Sequence, residues 1–135
     1  TAGKEVAEKA TINGFYPDIV VPKALAVGPQ IQETFAKAYK KGVGISFGTD
    51  AGVFKHGQNG KEFGFMVAAG MPAMETIQSA TITNAMLLQM EQKIGQIQKG
   101  FFADIIAVDE DPTKNISTME NVVFVMKEGV VYKNL

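Results

Sequence analysis

The chain has 135 residues, of which 46% are apolar and 20% charged, a composition typical of one globular domain with a hydrophobic core. The 13 basic and 14 acidic residues leave a net charge of −1 without a basic stripe, which excludes an electrostatic nucleic-acid surface. No apolar run approaches about 18 residues, so no membrane-spanning helix is predicted. The absence of cysteine excludes disulfides, thiolate metal sites and a cysteine nucleophile.

The first part of the chain predicts two helices joined by a loop. Residues 1–10 have the spacing of a short helix, and two prolines favour a loop over 15–22. A second helix is predicted over 30–41, where apolar residues recur every three or four positions and Gly42 provides a stop. Because the chain begins with Thr rather than Met, we expect the natural N-terminus to lie upstream. The cellular location therefore stays open between cytoplasmic and periplasmic or secreted.

Residues 43–47 are apolar at almost every position and predict a strand that is buried on both faces. Asp50 follows it directly and a glycine-rich loop covers 51–60, which is where α/β folds place catalytic groups. Aspartate is also a common turn or cap residue, so the local pattern leaves both roles open. His56, the only histidine, lies on the same loop and can reach the same site, although a lone histidine is more often structural or merely exposed than a ligand.

Helices continue to about residue 90. Asn59, with Glu62 three residues later, resembles a capping box and predicts the start of a helix with Phe63 and Met66 on its buried side. Further helices are predicted over 72–79 and from Thr81 or Thr83 to about residue 90.

From residue 94 the period of the apolar residues changes to two. This pattern predicts a short strand and turn over 94–100, a strand over 103–108, a turn over 109–112, and a hairpin of strands over 122–126 and 130–132. The chain is therefore α/β up to about residue 90 and β after it. We expect two structural units with a boundary near residue 91.

The chain lacks several common catalytic motifs. There is no P-loop, no G-x-G-x-x-G after a strand, no G-x-S-x-G and no H-E-x-x-H. Asp50 and His56 alone cannot hold a catalytic metal, because such sites need about three or more protein ligands. If the protein is a metalloenzyme, the other ligands lie outside these residues.

Three segments, in the expected order, resemble signatures of the metal-dependent amidohydrolase superfamily. Gly48-Thr49-Asp50 is similar to the G-T/S-D at the end of its eighth barrel strand. Residues 80–88, ATITNAMLL, are similar to its A-T-x-x-N-A-x-x-L helix, and residues 95–109, GQIQKGFFADIIAVD, resemble its G-x-I-x-x-G-x-x-A-D signature. The loop over 51–59 most resembles the branch of Xaa-Pro dipeptidases (prolidase-like) and imidazolonepropionase-related enzymes.

The resemblance implies an α/β fold: the C-terminal part of a (β/α)8 TIM barrel plus the C-terminal strands of a small β-sandwich. Residues 1–91 would be the end of the barrel, with its seventh loop and helix, eighth strand and closing helices. Residues 92–135 would be strands of the composite sandwich. The chain would supply only the last third of such an enzyme, and the remainder of the barrel would come from outside it.

The resemblance also implies a metal-dependent hydrolase of C–N bonds, in peptides or cyclic amides, with one or two divalent ions, expected to be zinc. Asp50 matches the eighth-strand aspartate, which implies that it binds metal and acts in catalysis. His56 matches a loop histidine and is expected to contact substrate. The family's H-x-H pair, lysine and two later histidines are not in this sequence. A dipeptide or other small-molecule substrate and a homo-oligomer are expected.

The alternative is a non-catalytic module or an inactive remnant of an amidohydrolase. The two hypotheses separate on the upstream sequence, where an enzyme must encode the missing ligands. We expect the 135 residues alone to hydrolyse nothing.

Overall fold

The computed structural model describes residues 2–52 and 54–135, with the backbone alone at Ala2, Lys4 and Glu5. Helices come first in this part of the chain and strands last, as the change of period near residue 90 predicts. No described helix combines the length and apolar character needed to cross a membrane. The elements are α1 (Ala2–Ala10), α2 (Val21–Lys40), α3 (Lys61–Ala68), α4 (Ala73–Ala80), α5 (Ile82–Leu87), β1 (Ile105–Ala107), a 3-10 helix (Ile116–Glu120), β2 (Phe124–Lys127) and β3 (Val130–Asn134).

Helices α1 and α2 form a closely packed pair. Where they cross, a Cβ atom at Gly28 would lie 2.8 Å from the Ala7 Cβ and 2.9 Å from the Gly3 carbonyl oxygen. The buried side chains of Ala10 and Ala24 continue the contact. The backbones approach this closely because small residues line both helices. The short helix predicted over 1–10 is thus confirmed from residue 2, and Thr1 lies outside the described residues.

The predicted start of α2 at residue 30 is wrong, because the helix begins at Val21. Pro22 occupies the first turn, where the missing N–H has no partner in any case. Pro29 lies inside the helix and removes one backbone hydrogen bond. Packing of Gly28 against α1 stabilises this turn despite that loss. The loop predicted over 15–22 therefore ends at Val20.

The segment over 43–50 pairs with no other strand among the described residues, so the strand predicted over 43–47 is not formed there. A strand is stabilised by its neighbours, and the only sheet in the described chain is made by β1, β2 and β3. From Gly44 to Asp50 the segment nevertheless alternates in exposure, so its predicted burial on both faces is also wrong. An inward row is partly buried (Ile45, Phe47, Thr49) and an outward row is exposed (Gly44, Ser46, Gly48, Asp50).

Helices α3, α4 and α5 cover the inward side of this segment. Phe63 and Met66 are buried on α3, as predicted, and Thr76 and Ser79 are fully buried on α4. The Ser79 hydroxyl donates to the Thr76 carbonyl at 2.6 Å, so its burial leaves no unpaired donor. These helices are confirmed, with ends within a few residues of those predicted.

The β-rich end is an antiparallel sheet in the order β1, β2, β3. The predicted hairpin is confirmed: β2 and β3 are joined at Glu128 and Gly129, whose φ values of 50° and 81° match the twist of the flanking strands. The Asp104 Oδ1 atom accepts a hydrogen bond from the Glu128 backbone N–H at 2.8 Å. Asp104, from the third motif, therefore stabilises the hairpin turn.

Of the short strand and turn predicted over residues 94–100, the turn is confirmed at 99–100, but no strand forms. Gly95 and Gly100 have φ values of 88° and 90°, a left-handed conformation that interrupts an extended run. The described residues thus consist of helices and one three-stranded sheet, with neither a closed barrel nor a second sheet among them.

Candidate active-site segment

Three helices hold Phe47, three residues before Asp50. Its N–H donates to the Ser79 carbonyl at 3.2 Å, and its own carbonyl accepts from the Asn84 Nδ2 atom at 3.0 Å. Its ring lies 4.4 Å from the Phe63 ring, centroid to centroid, in a tilted arrangement. Both backbone groups and the side chain of Phe47 are therefore occupied, which fixes the segment leading to Asp50.

Thr49 is held from the opposite direction, by the loop that follows. The Asn59 Nδ2 atom donates to the Thr49 Oγ1 atom at 2.8 Å, and the Asn59 Oδ1 atom accepts from the Gly57 N–H at 3.2 Å. The predicted capping box is wrong: Gly60 is the cap residue of α3, and it makes no side-chain cap bond. Both ends of the Asn59 amide are instead used within the site.

Asp50 is exposed and has a φ of 47°, in the left-handed region. Aspartate is among the few residues other than glycine that adopt this conformation readily. Its carboxylate makes no hydrogen bond or ion pair with the described residues, so both oxygens are open to a ligand. Residues other than glycine in this region are concentrated at functional sites.

His56 lies on the same loop and is also exposed. The loop over 51–60 is confirmed as irregular, with Val53 outside the described residues. Phe54 lies between the two candidate residues in sequence. Its side chain is buried, with 6% of its surface exposed, and anchors the middle of the loop. Asp50 and His56 thus share one loop, but no hydrogen bond joins them among the described residues.

A metal site cannot be assembled from the described residues alone. No group of three or more His, Asp or Glu side chains among them is placed to hold an ion. The Asp50 carboxylate has the chemistry of one ligand, since carboxylate oxygens bind divalent cations, but one ligand does not make a catalytic centre. A metal at Asp50 would need ligands that this part of the structure does not provide.

A hydrogen bond between α2 and α4 lies beside the start of the segment over 43–50. The Tyr39 hydroxyl, on α2, donates to the Glu75 Oε2 atom, on α4, at 2.7 Å. This hydrogen bond is the main cause of a raised pKa of Tyr39, and loss of hydration and the Glu75 charge act in the same direction. The Val43 N–H donates to the Ala38 carbonyl at 3.1 Å, at the end of α2.

The three motifs singled out in the sequence meet in space. Asn84, from the second, bonds to Phe47, which directly precedes the first. Gly95, from the third, lies against the second, where an added Cβ atom would lie 2.9 Å from the Thr81 carbonyl oxygen and from the Ala85 Cβ. Sequence analysis missed Asn84 as a residue that positions the site, although its place in the second motif was the available signal.

Comparison with known proteins agrees with this arrangement. The model of the amidohydrolase family matches residues 4–132. The chain superposes on the crystal structure of a Xaa-Pro dipeptidase with bound methionine in the active site, with a TM-score of 0.93 and 58% identity. That alignment covers 98% of this chain and 33% of the dipeptidase.

Two curated relatives are more distant. An ochratoxinase of Aspergillus niger is 30% identical over 116 residues, which cover 82% of this chain and 24% of the relative. A 5-methylthioadenosine/S-adenosylhomocysteine deaminase of Caldanaerobacter subterraneus is 32% identical over 113 residues, covering 68% of this chain and 26% of the relative. The chain thus spans about a quarter of the length of these relatives. The predicted resemblance to amidohydrolases of the Xaa-Pro dipeptidase branch is confirmed, and the chain belongs to the amidohydrolase family.

Proposed function

We propose that the complete protein is a metal-dependent hydrolase of C–N bonds that acts on Xaa-Pro dipeptides. The observation that carries this proposal is the 58% identity, over 98% of this chain, to a Xaa-Pro dipeptidase of known structure. In this proposal residues 1–91 form the end of a (β/α)8 barrel and residues 92–135 form strands of a β-sandwich. The remainder of the barrel supplies the other site residues.

Asp50 is the residue of this chain that acts on the reacting atoms. A divalent metal, zinc as one or two ions in this proposal, lowers the pKa of a water toward about 7 when bound. Asp50 contributes one carboxylate ligand to it, accepts a proton from the attacking water and returns that proton to the leaving amine. Its exposed position and its unpaired carboxylate support these roles.

His56 contacts the substrate. It is exposed on the loop that follows Asp50, and a ring N–H can donate to the carboxylate of a dipeptide. Phe54, which lies between the two residues in sequence, is buried and anchors the loop that carries His56. In this role His56 affects substrate binding more than the chemical step.

The test is Asp50→Asn in the complete protein, assayed on Xaa-Pro dipeptides. Asparagine keeps the size of the side chain but cannot accept the proton, so kcat should fall by about 10²-fold or more. Asp18→Asn is the matched control, because Asp18 is an exposed aspartate in the turn before α2. A kcat for Asp50→Asn within about twofold of the control would remove Asp50 from the mechanism.

A second candidate is a non-catalytic module, which is favoured by the absence of a three-ligand group among the described residues. The 135-residue chain alone is expected to hydrolyse nothing and to bind zinc weakly, because one carboxylate is a weak site. Equilibrium dialysis with zinc measures this directly. Tight binding of one zinc ion per chain would show that these residues form a site by themselves.

A further inference from the structure

We propose that Asn59 is a positioning residue that holds Asp50 and His56 in a fixed relation to each other. The inference rests on the proposed function, because it concerns the roles assigned there to Asp50 and His56. It is drawn from a single side chain whose two polar atoms bond to the immediate neighbours of these two residues.

The two polar atoms of the Asn59 amide bond to different parts of the chain. The Nδ2 atom donates at 2.8 Å to the hydroxyl of Thr49, which directly precedes Asp50. The Oδ1 atom accepts at 3.2 Å from the N–H of Gly57, which directly follows His56. The bond to Thr49 is partly buried, so water competes less for it than for the bond from Gly57, which is exposed. One planar group therefore links Thr49 to Gly57, the residues next to Asp50 and His56.

Asp50 and His56 need such support because neither is held through its own side chain. Both are exposed, and neither side chain makes a hydrogen bond or ion pair with the described residues. The direction of each side chain therefore depends on the backbone beside it. At Asp50 that backbone has a φ of 47°, in the left-handed region, so the direction of the side chain depends on this local conformation being kept.

A purely structural role for Asn59 makes a different prediction. The residue lies just before α3, but it does not act there as the helix cap, since the cap position is Gly60. If the hydrogen bonds of Asn59 only stabilised the fold, their loss would lower the melting temperature and leave kcat per folded molecule unchanged. If Asn59 positions the site, its removal should lower kcat in the folded protein, because misplacement of a catalytic group by about 1 Å costs up to about 10²-fold in rate.

The experiment uses the complete protein and compares Asn59→Ala, Thr49→Val, the double variant and Thr49→Ser. Asn59→Ala removes both bonds, Thr49→Val removes one acceptor, and Thr49→Ser keeps the hydroxyl. Asn13→Ala is the matched control, because Asn13 is exposed and its side chain makes no bond with the described residues. For each variant kcat and KM on a Xaa-Pro dipeptide, the melting temperature and amide hydrogen exchange over 49–60 are measured.

We expect Asn59→Ala and Thr49→Val each to lower kcat by about tenfold or more, as loss of a group that orients an active-site residue does. The double variant should be no slower than Asn59→Ala, because both changes break the same bond. Thr49→Ser should restore kcat to within about threefold of the parent, since the acceptor is kept. Hydrogen exchange at Gly57 should rise in Asn59→Ala and stay unchanged in Asn13→Ala.

Three outcomes would overturn the proposal. The losses of kcat in Asn59→Ala and Thr49→Val could multiply in the double variant, or kcat of Asn59→Ala could stay within about twofold of the unmutated protein (the parent). The third is a loss of kcat fully explained by the fraction of unfolded molecules. If the parent hydrolyses another amide and no Xaa-Pro dipeptide, the proposed substrate fails and the same variants are compared on that amide. If the parent hydrolyses nothing, the proposed function fails. Amide hydrogen exchange at Gly57 then tests the positioning role by itself, and an exchange rate that is unchanged in Asn59→Ala overturns that role.

Discussion

The Asn84 side-chain amide donates a 3.0 Å hydrogen bond to the Phe47 carbonyl across 37 residues of sequence. The helix that carries the second motif thus holds the segment that ends in the first. With the Phe47 N–H bonded to Ser79, neither backbone group of this residue is left to water. The approach to Asp50 is therefore fixed by side-chain and backbone groups of α4 and α5.

Loss of the Asn84 amide should destabilise the fold. Asn84→Ala leaves the half-buried Phe47 carbonyl without its partner, which should lower the free energy of unfolding by about 1–3 kcal/mol. Urea denaturation of the variant measures the change. Asn84→Asp keeps the size but loses the donor, so it should be destabilised as well, whereas the exposed Asn13→Ala should change little. If Asn84→Ala changes stability no more than Asn13→Ala, the bond contributes nothing measurable.

Gly95 and Gly100 form a matched pair that separates backbone strain from crowding. Both have φ near 90°, but only Gly95 has neighbours within 4 Å of an added Cβ atom. Alanine should cost about 1–2 kcal/mol at either position through the left-handed backbone alone. Gly95→Ala should cost about 1–3 kcal/mol more, since the methyl group meets the Thr81 carbonyl and the Ala85 side chain. Denaturation midpoints of the two variants test this, and equal values would mean that α5 moves to accommodate the methyl group.

Asp104 should matter for the hairpin mainly through its hydrogen bond to the backbone. Its Oδ1 atom accepts from the Glu128 N–H at 2.8 Å, and its Oδ2 atom lies 3.7 Å from the Lys127 Nζ atom. Asp104→Ala should lower the free energy of unfolding by about 1 kcal/mol, and Asp104→Asn, which keeps an acceptor, by less. Lys127→Ala should have the smallest effect, because the ion pair is exposed to water. A larger loss in Lys127→Ala than in Asp104→Ala would reverse this assignment.

The pKa of Asp111 should depend on Thr113. The Thr113 hydroxyl donates to the Asp111 Oδ1 atom at 2.6 Å and is the largest cause of a pKa below the ordinary value, followed by the Thr113 N–H at 2.9 Å. This contribution to stability is present above the unfolded-state pKa and is lost as the pH falls through the folded-state value. Thr113→Val should raise the pKa of Asp111, and Thr113→Ser should leave it low. A carbon NMR titration of the Asp111 carboxyl measures it, and equal values in all three proteins would show that the Thr113 hydroxyl does not lower this pKa.

Local pattern predicts the elements whose stability is mostly local. The helix with Phe63 and Met66 and the hairpin at Glu128 and Gly129 are predictable because period and turn residues agree there. The first part of α2, over 21–29, cannot be predicted in this way. The helix forms there despite Pro29 because it packs against α1, and no local sequence rule reports that contact. The segment over 43–47 has the pattern of a strand, but it pairs with none of the described residues.

The residues of the candidate site also fall into those that local sequence identifies and those that it does not. Asp50 and His56 can be identified from the strand, loop and motif context. Asn59 and Asn84 cannot, because their tasks depend on partners 10 and 37 residues away in sequence. A capping box is the best local explanation of Asn59. The fold instead brings Thr49 within reach of its amide, and that contact replaces the cap.

The alternation of inward and outward residues over 44–50 limits the sequence changes that this segment can accept. Phe47 is held by α4 and α5, and Thr49 by Asn59, with a single residue between the two anchors. One residue added or removed there would turn Asp50 toward the helices or release Thr49, because successive residues of an extended chain face opposite ways. Substitutions at the exposed positions Gly44 and Ser46 are tolerated more readily than any change in chain length between Phe47 and Asp50. Homologues should therefore show insertions in the loop over 51–60 and none in the three residues that precede it.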